Sequence, residues 1–100
     1  MLEKIIEDLA DNFQAGDEQV LQEYIDETTL DALSISNRKN TTSNIELLTS
    51  DIKKCVKAKY LLRGSEGSKS LSDSGKSTSF EDPTETMRIE IVKAGKRVIF

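Results

Sequence analysis

Apolar residues recur at three- and four-residue intervals along most of this chain, and the interruptions divide it into helical segments. Leu2, Ile5, Ile6, Leu9 and Phe13 fall within a narrow arc of a helical wheel, which predicts a short amphipathic helix over about 2–13. Gly16 separates it from a second helix over about 18–36, for which Asp17 is a suitable N-cap and in which Leu21, Tyr24, Ile25, Thr28, Ala32 and Ile35 share one face. The polar run from Ser36 to Asn44 breaks the pattern with residues that bond locally to backbone. Ser43 with Glu46 has the spacing of a capping box for a third helix over about 44–63, with Ile45, Leu48, Ile52, Cys55, Val56 and Tyr60 as its core stripe. Gly64 is placed to end that helix, and Lys57, Lys59 and Arg63 put cations near its negative end.

A polar stretch over residues 64–82 follows, in which Leu71 and Phe80 are the only large apolar side chains. Ordering a backbone residue costs roughly 1 to 2 kcal/mol, and this stretch has little apolar surface to offset it. It is expected to be ordered by a partner. Asp82, Pro83 and Glu85 then read as N-cap, first helical residue and third helical residue of a last element over about 83–94. Met87, Ile91 and Ala94 suit a helix, while the alternation Met87, Ile89, Ile91 suits a strand; the start signals and Gly95 as a stop favour the helix. The pattern therefore predicts one all-α domain over residues 1–100. Two longer antiparallel helices would be joined by a short N-terminal helix, a long polar loop and a short C-terminal element.

Some leucines do not fit the core stripes. Leu30 and Leu33 project from the other side of the second helix, and Leu47 and Leu61 from the other side of the third. Helices with apolar residues on two sides are expected to meet a neighbour within the subunit and another outside it, which makes Leu30 and Leu33 candidates for a subunit interface. The C-terminal residues Lys96, Arg97, Val98, Ile99 and Phe100 combine basic and apolar character, and such an end gains stability only where a surface covers it.

Composition narrows the function classes. A chain of 100 residues with 36% apolar content supports one modest core, too small for a cofactor-sized cavity. A net charge of -4 argues against general nucleic-acid binding. The absence of histidine removes the commonest general base and transition-metal ligand. Cys55, on an apolar stripe, reads as a small buried hydrophobe, and a lone cysteine forms no disulfide within one chain. Glu7, Asp8 and Asp11 read as a solvated face. Gly75-Lys76-Ser77 has the end of a phosphate-binding loop, but Ser70 stands where its first glycine belongs and a helix precedes it in place of a strand. No catalytic residue, cofactor site or metal site is expected. The N-terminus lacks the basic and long apolar stretches of a secretory signal, and no segment reaches the length of a membrane span, so a cytoplasmic, soluble protein is expected.

The order of elements, with Arg63-Gly64, Glu66-Gly67, Ser70, Ser72, Ser74-Gly75, Ser77, Ser79 and Phe80 in the polar stretch and Lys96 and Arg97 behind the Pro83-led element, resembles the head-tail connector family of tailed bacteriophages. These are small adaptors that attach beneath the portal ring when a DNA-filled head is completed. Thr28-Thr29 in the second helix and the apolar Val98-Ile99-Phe100 end depart from that pattern. The resemblance implies an all-α protomer of a homo-oligomeric ring, dodecameric to match the portal, located in the host cytoplasm during assembly and in the virion neck afterwards. Implied partners are the portal protein and a stopper or tail-completion protein, with DNA passing through the lumen without specific binding. Residues 63–80 would contact the portal or a neighbouring subunit, and residues 96–100 would anchor the C-terminus. The competing expectation is a small cytoplasmic helical interaction or regulatory module whose polar loop presents a binding segment.

Overall fold

The computed structural model describes the backbone of residues 1–66 and 82–99, with side chains described for 1–62 and 82–99. All regular structure among these residues is helical, as the hydrophobic pattern predicts. The elements are α1 (Leu2–Leu9), a 3-10 turn (Ala10–Asn12), α2 (Glu18–Ser36), α3 (Thr42–Glu66) and α4 (Pro83–Lys93). The last of these settles the choice between helix and strand. Asp82 caps it, its carboxylate accepting from Thr84 N at 2.9 Å, Pro83 occupies the first turn, and Gly95 takes φ +73 just beyond its end.

The two antiparallel helices α2 and α3 form the centre, with α1 and α4 each packed against both. Lys57 Nζ reaches Asp8 Oδ2 at 3.1 Å on α1, and the Phe13 and Tyr60 rings stack with centroids 6.2 Å apart. Asp51 and Cys55, by contrast, turn to α4. On a helix advancing roughly 100° per residue, these two pairs of α3 residues occupy opposite flanks. It follows that α1 and α4 cover opposite faces of the α2/α3 pair. The core between them contains Ile5, Leu9, Leu21, Ile25, Ala32, Leu48, Ile52, Val56, Met87 and Ile91.

Several boundaries differ from the sequence expectation. The first helix tightens into the 3-10 turn after Leu9 instead of running regularly to residue 13. The N-cap of α3 is Thr41, whose hydroxyl accepts from Asn44 N at 3.2 Å, so the Ser43–Glu46 box is not used. Contacts beyond the helix decide between these nearby candidates: the Asn44 amide donates to Lys39 O at 2.9 Å and accepts from Arg38 Nη1 at 3.3 Å, fixing the first turn. At its other end α3 continues through Gly64 to Glu66. A helical glycine costs about 1 kcal/mol relative to alanine, but it does not compel termination.

Leu33 is the larger correction, being 5% exposed and part of the core. It lies about 120° around α2 from Leu21, outside the stripe expected for one neighbour. Because α2 packs against α1, α3 and α4, its buried arc is wide enough to include it. Leu30, at about 180° from Leu21, remains outside that arc and is 61% exposed.

Candidate interaction surfaces

The end of the molecule where α2 turns into α3 is built from two helix stops placed side by side. Asn37 takes φ 58 after α2, with Asn37 N bonding Ser34 O at 3.1 Å and Arg38 N bonding Leu33 O at 3.0 Å. Gly95 and Lys96 repeat the arrangement after α4, with bonds to Val92 O and Ile91 O, both 3.0 Å. Both are Schellman terminations, in which a left-handed residue lets two backbone N–H groups turn back onto orphan carbonyls. Asparagine and glycine are the residues that tolerate that conformation at low cost.

The chain leaving α4 is bound across this turn. Val98 N donates to Ser36 O at 2.8 Å, Asn37 Nδ2 to Val98 O at 3.2 Å, and Arg38 Nε to Lys96 O at 2.7 Å. Lys96 Nζ meets Asp51 Oδ2 at 2.8 Å, where the Asp51 side chain is only 10% exposed. Lys96, expected in the C-terminal anchor, thus has its ammonium group engaged by a nearly buried carboxylate of its own chain. Arg97 is exposed, Val98 is half-buried and Ile99 is 84% exposed. Phe100 lies outside the described residues.

At the opposite end Tyr60 ties the approach to α2 onto α3. Its hydroxyl donates to Asp17 Oδ2 at 2.6 Å and accepts from Gln14 N at 3.1 Å. Asp17 is thus the N-cap by position, while its carboxylate bonds this hydroxyl and makes no side-chain cap to the first helical N–H groups. Nearby, the hydrogen bond from Lys57 holds the Asp8 carboxyl below its usual range, so Asp8 does more than solvate its helix.

The α3–α4 junction contains a mainly apolar groove of about 210 Å³ lined by Asp51, Lys54, Cys55, Ala58, Pro83, Thr86, Met87 and Glu90. Cys55 and Met87, each 3% exposed, line its deeper part, while Lys54 Nζ pairs with Glu90 Oε2 at 2.9 Å at its edge. That hydrogen bond depresses the Glu90 pKa and raises that of Lys54. Burial pushes the Cys55 thiol up, which leaves it a poor nucleophile. Among the described residues no cluster of three or more acidic, cysteine or histidine side chains is placed to hold a metal, and no buried polar side-chain atom lacks a partner.

Arg63, Gly64 and Glu66 lie on the last turns of α3, whereas Gly67, Ser70, Ser72, Gly75, Ser77, Ser79 and Phe80 lie outside the described residues. Sequence reasoning missed the groove and Asp51, since the groove needs two helices from distant parts of the chain. The off-stripe leucines were the available signal: Leu30, Leu47 and Leu61 are 61%, 41% and 45% exposed. No helix among the described residues is long and apolar enough to cross a membrane. Comparison with protein families, characterised proteins and solved structures finds no match for this chain.

Proposed function

We propose that this chain is an assembly protein of the head-tail connector type, a protomer that joins a ring beneath a phage portal and extends its DNA channel towards the stopper or tail. The observation that carries the proposal is the exposure of Leu30, 61%, and Leu47, 41%, on helices whose opposite faces already complete a core. Large apolar side chains on two sides of so small a domain suit a subunit with neighbours. The polar sequence of residues 64–82 and its resemblance to the connector loop support the portal as partner. Arg97, Ile99 and Phe100, beyond the internally engaged Lys96, supply the C-terminal contact.

The channel role agrees with the charge. A lumen without excess basic residues makes few phosphate contacts and releases few counterions, so DNA can slide. Electron microscopy of the purified chain mixed with its portal tests the proposal. A second ring of density coaxial with the portal is expected; a chain that stays apart from assembled portal at saturating concentration would overturn it.

A further inference from the structure

The charges that this chain does not pair internally are sorted by place. On α2, Glu23, Asp26, Glu27, Leu30 and Ser34 recur at three- and four-residue spacing, so they share one face, and all five are exposed. The helix carries no basic residue. Lys59 reaches Glu27 Oε1 from α3 at 3.0 Å, and Asp26 accepts from Gln22 Nε2 at 2.9 Å. Among the described residues no cation pairs with Glu23 or Asp26.

The end of the molecule where α2 turns into α3 is the converse. The bonds from Arg38 Nε to Lys96 O and from Asn37 Nδ2 to Val98 O bring Lys39 and Arg97 to that end, beside Lys93 in the last turn of α4. Lys39, Lys93 and Arg97 are exposed and pair with no carboxylate among the described residues. Arg38 bonds a backbone carbonyl and the Asn44 amide oxygen. Against these cations stands Glu46 of α3, since Asp51 is taken by Lys96. The negative ends of α2 and α4 offset roughly one charge between them, too little for four cations. Val92, 46% exposed, and Ile99, 84% exposed, adjoin the basic side chains.

We infer that the acidic α2 face of one copy, with Leu30 upon it, docks on the basic turn end of a second copy, against Val92 and Ile99. The inference rests on the ring reading above and assigns its C-terminal contact to the neighbouring copy. Both surfaces keep their charges after the internal pairs are made, so each has a complement only on another molecule. Two α2 faces together would set carboxylates against carboxylates, and two turn ends would set cations against cations; unlike surfaces attract. The apolar side chains lose water on contact, while the charges fix the orientation. Each copy carries one surface of each kind, so contacts continue from copy to copy until a ring closes.

Reversing the charge of each surface in turn tests the contact. Glu23→Lys with Asp26→Lys reverses the α2 face, and Lys93→Glu with Arg97→Glu reverses the turn end. All four sites are exposed, so the helical circular-dichroism signal should match that of wild type. In sedimentation velocity, wild type should self-associate, more weakly at roughly 0.5 M than at roughly 0.05 M salt. Each reversed variant alone should be monomeric, because its two surfaces then carry the same sign. Their equimolar mixture should associate at low salt as wild type does, because the basic α2 face of one meets the acidic turn end of the other. Wild type that remains monomeric at low salt, a reversed variant that associates as well as wild type, or a mixture that stays monomeric would overturn the contact. Self-association through this contact without portal binding would leave it standing and overturn the connector function. A full ring of either reversed variant on the portal would do the reverse.

Discussion

The two ends of the α2/α3 pair are held by different physics. At the end where the chain approaches α2, α1 is fastened by Ile5 and Leu9, 0% and 2% exposed, with Leu2, Ile6 and Phe13 packed beside them. At the turn end, attachment of the last residues depends on backbone bonds from Val98 and to Lys96, and on the Lys96–Asp51 pair. Apolar packing tolerates small shifts because it is non-directional, whereas the polar end depends on several bonds meeting their geometry together. The difference teaches which end a sequence can reveal. A helical stripe announces the first, while the second needs partners more than forty residues apart.

The largest test falls on the apolar end. Ile5→Ala should lower unfolding stability by about 2 to 5 kcal/mol in urea titration, through lost burial and a residual cavity. If the loss is much less than 1 kcal/mol, α1 contributes little to the fold and the contrast between the ends fails.

Lys96→Ala probes the polar end by leaving the Asp51 carboxylate without its cation. Its side chains are 24% and 10% exposed, so a loss of about 1 to 3 kcal/mol is expected, below that of a fully buried pair. The double change with Asp51→Ala should recover part of it, and a double-mutant cycle measures how much. Strict additivity would mean that the C-terminal segment is held by its backbone bonds alone.

A polar contact also operates at the apolar end, and Tyr60→Phe isolates it. The substitution keeps the ring against Phe13 and removes the hydroxyl bridge between Gln14 N and Asp17, for a cost of about 1 to 2 kcal/mol by thermal unfolding. Faster amide exchange at Gln14, with the α3 core unchanged, should accompany it.

Acid has the smallest effect. Asp8, Glu85 and Glu90 have pKa values lowered by hydrogen bonds from Lys57, Arg88 and Lys54 respectively. A carboxylate whose pKa is lower folded than unfolded contributes stability above its unfolded pKa, and that contribution disappears as pH falls through the folded value. All three are solvent-exposed, so denaturation midpoints should be flat at neutral pH and decline modestly below the ordinary carboxylate range. A midpoint that rises on acidification would show that these pairs do not stabilise the fold.

Much of the architecture was legible in advance because helices are encoded locally. The stripes of α1, α2 and α3, the Asp82–Pro83 start of α4 and its Gly95 stop all depend on residues within a few positions of one another. The candidate surfaces were only partly legible: Leu30, Leu47 and Leu61 stood out because they broke a periodic stripe, but Leu33 also broke it and is buried. Its fate depends on α4 joining α1 and α3 around α2, which no local pattern encodes. The expected contact loop cannot be compared, as most of it lies outside the described residues.

The sequence by itself determined which segments are helical and which face of each seeks the core, since period and capping chemistry act over one or two turns. Tertiary structure decided that Lys96 closes on Asp51, that Tyr60 reaches Asp17, and that a groove opens between α3 and α4. Those outcomes depend on how packed helices align distant side chains, and directional bonds and shaped cavities exist only once that alignment is made.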